Sequence, residues 1–214
     1  MKKTVFLILA ALAVFATQAR SQTVSDLGTW SSVQLVKSFG APYAMARFEH
    51  RSFDNVGSTE CWFAMAGGGY NFNKWLKGDL SYEYWRIPSA GDMVQHKAVF
   101  CLTETLRREG LAVALREKYE LAYNPGTESF SNTLRTRLRA QYKAPESIFT
   151  PYMMYEFFSS FDSMLWVRSL HYAGTEISLG KGHGLDFFYM YHLYDKGGQT
   201  AACHLLGIGY NFVF

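Results

Sequence analysis

From about residue 28 to the end of the chain, apolar and polar residues alternate with a period of two in one segment after another, and no segment sustains a helical period. A strand puts successive side chains on opposite faces, so this pattern predicts strands with one apolar and one polar face. Candidate strands run over 28–39, 43–53, 60–72, 77–87, 95–107, 111–123, 132–143, 149–158, 164–179, 184–194 and 201–214. Strands of globular domains average about 5 to 6 residues, whereas a tilted strand that crosses a bilayer needs about 9 to 11. The lengths therefore favour an all-β fold, an antiparallel transmembrane β-barrel of about 10–12 strands. Eleven segments are counted, but a barrel with both termini on one side needs an even number, which predicts 10 or 12. A secreted β-sandwich is the alternative reading of the same alternation.

Composition narrows the class. Tyr (14) and Phe (17) are abundant, as aromatic girdles would require. Near-zero mean hydropathy and the lack of a second long apolar run argue against a helical membrane protein. The start reads as a signal peptide: Lys2 and Lys3, an apolar run from Val5 to Ala16, then small residues with cleavage expected after Ala19 or Ser21. The domain reading is thus 1–21 signal peptide and 22–214 a single barrel domain. A retained anchor helix is the alternative, although the run is short for one. Lys2, Lys3 and Arg20 account for the excess of 21 basic over 18 acidic residues, so the mature chain is near neutral. A nucleic-acid role loses its electrostatic footprint. Cys61, Cys101 and Cys203 lack framework or zinc spacing, and one disulfide remains open without a choice of pair.

Several strands sort into faces. Leu80, Tyr82 and Tyr84 oppose Asp79, Ser81 and Glu83; Leu134 and Leu138 oppose Arg135, Arg137 and Arg139; Ala46 and Phe48 oppose Arg47, Glu49 and Arg51. In a barrel the polar sets face the lumen. The inferred lumen carries Arg47, Arg51, Arg116, Lys118, Arg135, Arg137, Arg139 and Arg168 against Glu49, Asp79, Glu83, Glu120, Glu156, Glu176 and Asp186. Such near-balance predicts a paired ionic network, since buried charges must be answered. The Arg135–Arg137–Arg139 row is the local excess and a candidate anion site, with Glu120 and Glu156 the expected internal partners. Glu117 shares parity with Leu115 and Tyr119, so a bulge, a register shift or an interfacial position is expected there.

The connections alternate in length, with short turns at 40–42, 73–74, 108–110, 144–147 and 180–184 and longer ones at 54–59, 88–94, 124–131 and 195–200; the short one at 159–163 breaks the pattern. The last strand places Leu206, Ile208, Tyr210, Phe212 and Phe214 on one face and ends on an aromatic. This resembles the signal read by the barrel-assembly machinery. It predicts an outer-membrane location, with membrane lipid, lipopolysaccharide and that machinery as partners.

The order of short motifs also resembles an exported Bacteroidota-type family, domain-of-unknown-function family 2490. These are Leu27-Gly28-Thr29-Trp30, the segment Arg47 to Phe53, Gly69-Tyr70-Asn71-Phe72 before Trp75-Leu76-Lys77, and Tyr82-Glu83-Tyr84-Trp85-Arg86. The Arg135–Arg137–Arg139 row, Thr150-Pro151-Tyr152 leading into Glu156-Phe157-Phe158, and the terminal Gly209-Tyr210-Asn211-Phe212 follow. The resemblance implies an outer-membrane barrel and brings no catalytic residues.

No catalytic set, metal site or cofactor is expected. A non-enzymatic barrel, as a narrow channel or an envelope binding protein, is the favoured reading. The competing reading is a lipid-modifying acyl hydrolase. His50-Arg51-Ser52 has a His-x-Ser spacing that resembles lipid A deacylases, with Glu60 the downstream acid, but its parity points to the lipid side. His96, His171, His183, His192 and His204 show no ligand spacing.

Overall fold

A computed structural model describes residues 25–161, 166–196 and 199–214. The segment read as a leader lies outside the described residues. Eleven strands form the wall: β1 Ser25–Ser38, β2 Pro42–Phe53, β3 Ser58–Asn71, β4 Leu76–Ile87, β5 Met93–Arg108, β6 Leu111–Asn124, β7 Ser129–Tyr142, β8 Phe149–Ser160, β9 Trp166–Gly180, β10 His183–Lys196 and β11 Gln199–Val213. Each pairs antiparallel with its sequence neighbour, and β1 closes the barrel against β11. That last pairing is parallel, from Ser25 opposite Ala202 to Val36 opposite Val213.

The parallel seam corrects the expectation of an even count. An antiparallel meander of eleven strands brings its first and last strands to each other in the same direction. Ser38 N–H donates to Phe214 O at 2.9 Å and Phe214 N–H to Val36 O at 3.0 Å, which secures the end of the seam. The ends of the described barrel therefore lie at opposite rims. The C-terminal rim carries 39–41, 72–75, 109–110, 143–148, 181–182 and Phe214; the N-terminal rim carries Ser25, 54–57 and 88–92.

The expected contrast between short turns and long loops shrinks, because the strands run further into the segments read as loops. β5 begins at Met93 and β7 at Ser129, leaving 88–92 and 125–128 as the connections. A 3-10 turn at Pro88–Ala90 makes the first of these. Expected strand bounds otherwise hold to within a few residues.

The wall is inside out relative to a soluble domain. On β4, Leu80 is 65% exposed while neighbouring Asp79, Ser81 and Glu83 are buried. Phe48, Phe100, Leu138, Leu206 and Ile208 face outward on other strands. Aromatic and large apolar residues gather on the outer surface toward both rims. Tyr70, Phe72, Trp75, Phe149 and Phe214 lie near the C-terminal rim, and Trp62, Tyr84, Tyr123 and Phe130 toward the other. Strands of this length, tilted as barrel strands are, span about 30 Å, enough for a hydrocarbon layer and its girdles.

At Glu117 the bulge and the register shift, two of the three expected accommodations, fall away. The β5–β6 and β6–β7 registers run through it without a bulge. Its carboxylate instead accepts a hydrogen bond from Thr136 Oγ1 at 2.8 Å on the outer face. Bulges occur elsewhere, between Arg51 and Ser52, Phe158 and Ser159, and His183 and Gly184.

Candidate functional site in the barrel lumen

Eleven strands enclose more space than the eight that side chains just fill, and far less than the sixteen or more that leave an aqueous channel. What occupies the lumen is thus decided by individual side chains. Its two halves differ. From β8 through β11 the inner wall is mostly apolar: Tyr152, Met154, Phe158, Leu170, Tyr172, Met190, Cys203 and Leu205 form one buried cluster, with Trp30 and Phe188 packed against it. Across β2 to β7 it is mostly charged.

Most charges at the waist are paired; among the described residues Arg168 has no ion pair and lies against the Phe158 ring. Glu120 accepts from Arg135 Nη1 at 2.5 Å and lies 2.8 Å from Lys118 Nζ and 3.5 Å from Lys97 Nζ. Lys118 also donates to Glu83 at 3.0 Å, and Trp85 Nε1 donates to the same carboxylate at 2.7 Å. Glu49 holds two guanidiniums, Arg47 and Arg51. The arginines are further capped by rings. Arg51 lies 3.7 Å from the Trp30 ring centre and 4.9 Å from that of Trp85; Arg135 and Arg168 lie 4.3 and 4.1 Å from that of Phe158. Cation–π contacts of this kind strengthen when water is excluded. Glu156 and Met190 are 0% exposed and Phe158 2%, so the waist is packed around them.

Glu156 is the centre of this arrangement. It takes Arg135 at 3.0 Å, Arg137 at 3.2 Å and Arg116 at 3.6 Å. Arg116 and Arg137 stand directly opposite each other on β6 and β7. One carboxylate thus answers three guanidiniums, one of which it shares with Glu120. The Arg135–Arg137–Arg139 row does not act as a unit. Arg135 is buried and saturated by carboxylates. Arg139 bonds Glu176 at 2.7 Å and lies over Tyr152. Among the described residues Arg137 has only its share of Glu156.

Two cavities that share part of their lining follow: one of about 400 Å3 beside the waist, lined by Glu49, Glu83, Lys118 and Arg135 among others, and one of about 760 Å3 toward the C-terminal rim. Both are walled by Arg47, Lys77, Arg116 and Arg137 on one side and by Trp30 and Tyr172 on the other. Lys77 makes no ion pair among the described residues. The Nε atoms of Arg47, Arg116 and Arg137 are buried without a hydrogen-bond partner. Asp79 lines the smaller cavity but forms no ion pair within 4 Å among the described residues.

Two lumen cations escape the sequence reading. Lys97 is buried, 4.0 Å from the Trp85 ring centre. On β5 both faces are apolar, Val99 and Cys101 inward and Phe100 outward, so no polarity contrast marks the lumen side. Lys77 shares the parity of Asp79, Ser81 and Glu83 and could have been found from it.

The His-x-Ser motif is not assembled as a catalytic pair. His50 Nε2 lies 3.2 Å from Thr59 Oγ1, while Ser52 Oγ lies 2.7 Å from Thr29 Oγ1 and accepts from Thr29 N–H. Ser169 Oγ approaches His171 Nε2 at 3.5 Å, long for proton transfer, and Ser169 is buried. Among the described residues no group of His, Cys, Asp or Glu is placed to hold a metal. The three cysteines are buried and free, which closes the question of a disulfide.

A closed β-barrel with an inward charge network and an outward apolar surface belongs, by architecture, with the porin-like barrels. A solved structure of NanC porin in a rhombohedral crystal form has this fold at a TM-score of 0.52, with 12% identity over 86% of this chain and 98% of that one. The family model described as "Protein of unknown function (DUF2490)" matches residues 27–201, and the chain belongs to that family. No curated protein matches.

Proposed function

We propose that this chain is an exported outer-membrane barrel without enzymatic activity, whose lumen narrows at a packed ionic waist and widens into a vestibule at the C-terminal rim. The observation that carries the reading is the inversion of the wall. Glu49, Glu83 and Glu156 are buried inside strands whose outer faces expose Phe48, Leu80 and Tyr155. Water on both sides would leave that outer surface without a partner, far beyond the patch a soluble monomer normally shows. Lipid satisfies it. The leader-like start would deliver the chain to the envelope, where its final strand would be read by the assembly machinery. Membrane lipid and lipopolysaccharide would cover the outside.

Refolding into detergent or lipid tests this. Unboiled protein should migrate differently from boiled protein on a gel, and reconstituted barrels should pass small, infrequent current steps because the waist is packed. They should release no fatty acid from phospholipid or lipid A. A protein that is monomeric in plain buffer, with no heat-dependent shift, would overturn the membrane reading.

A further inference from the structure

We infer that the vestibule is a binding site for a small organic anion, with an oxyanion head held by Lys77, Arg116 and Arg137 and an apolar or ring-shaped body packed on Trp30 and Tyr172. This deepens the barrel reading and rests on it. The first observation is charge that the protein itself does not answer. Arg47, Arg116 and Arg137 draw on two carboxylates, Glu49 and Glu156, and each of those is also held by a second buried arginine, Arg51 or Arg135. Lys77 has no ion-pair partner among the described residues, and the nearby carboxylate of Asp79 reaches none of these cations within 4 Å. Among the described residues, the Nε–H groups of Arg47, Arg116, Arg137 and Arg139 are buried and unbonded at the cavity wall. Arg116 and Arg137 stand face to face across β6 and β7 with one carboxylate, Glu156, to answer both and Arg135 besides, so a second anion there would relieve like-charge repulsion.

The second observation is the opposite wall. Trp30 and Tyr172 meet edge to face with ring centres 6.5 Å apart, and both line both cavities. The larger cavity continues along Met154, Leu185 and Phe188. A simple inorganic ion would leave this surface uncovered. A volume of several hundred Å3 with cationic and aromatic lining fits a molecule the size of a substituted ring, the carboxylates Glu176 and Asp186 in the larger cavity's lining being bonded to Arg139 and Tyr152. Guanidinium groups recognise carboxylate and phosphate oxygens alike, so head chemistry is fixed only as an oxyanion.

Phenyl phosphate and inorganic phosphate, at equal ionic strength against a chloride control, separate the parts of this assignment. Each is titrated against folded barrel, with folding verified by the gel shift, and thermal unfolding is followed. Phenyl phosphate should raise the midpoint at lower concentration than phosphate, and chloride should not raise it. Lys77→Gln, which strands no carboxylate, should fold as the wild type and weaken phenyl phosphate by about tenfold, the loss of one charge-assisted contact. No protection of a folded barrel by either phosphate would overturn the site while leaving the barrel intact. Equal protection by phosphate and phenyl phosphate would overturn the organic ligand. Protection that survives Lys77→Gln unchanged would overturn the assigned head position.

Discussion

At the scale of single residues, the energetic weight of the lumen falls on a few carboxylates rather than on the arginines that dominate the sequence. Glu156 is fully buried and holds Arg116, Arg135 and Arg137 together. Removing its charge leaves three guanidiniums in a low-dielectric interior with too few partners, a loss of about 3–5 kcal/mol. Glu156→Gln should accordingly lower the urea midpoint of the folded barrel steeply. Arg139→Gln should cost at most about 1 kcal/mol, because its partner Glu176 is 42% exposed and solvent screens the pair. Equal effects from both variants would show that burial does not grade these pairs. Legibility at this scale follows polarity contrast. Arg135, Arg137 and Arg139 stand out because Leu134, Thr136, Leu138 and Ala140 alternate with them. Lys97 hides among apolar neighbours, and the sharing of Glu156 depends on which strands curve toward one another, which parity alone does not encode.

At the scale of elements, strand positions were readable because a closed wall, polar inside and apolar outside, demands continuous alternation over its whole height. Their direction of closure was not, since it depends on counting every strand and on nothing local. The seam differs from the other ladders. Parallel pairing is slightly weaker per residue, and β1 is held on its other side by β2 alone. Its end is fixed by bonds involving Phe214, whose ring stacks on Phe212 at 5.1 Å and lies 4.5 Å from Lys37 Nζ. Deleting Phe214 should therefore reduce both the yield of inserted barrel and its resistance to heat, whereas Val213→Thr should change neither by much. Heat-modifiability of the two variants in parallel checks this, and equal insertion of both would remove any special role for the final aromatic.

At the scale of the whole molecule, orientation becomes testable. If Phe214 is read as an assembly signal, as proposed, the C-terminal rim and with it the vestibule would face the periplasm. Val56 lies exposed in the connection at the other rim, next to Asp54 and Asn55, whose N–H groups donate to Asp26 at 3.0 and 2.9 Å. Val56→Cys should react with a membrane-impermeant maleimide on intact cells, and Lys143→Cys only after the outer membrane is permeabilised. The native cysteines are buried and should contribute little background. The reverse labelling pattern would turn the vestibule toward the outside.

The parallel seam has a consequence for what the barrel can be joined to. Because Ser25 and Phe214 leave from opposite rims, sequence attached before the first and after the last would be parted by the bilayer if the barrel spans one as proposed. A porin with an even strand count hangs both its ends in one compartment. Set in a membrane as proposed, this wall would by contrast be a covalent strap between two compartments, able to carry a tether on each side through a single folded domain.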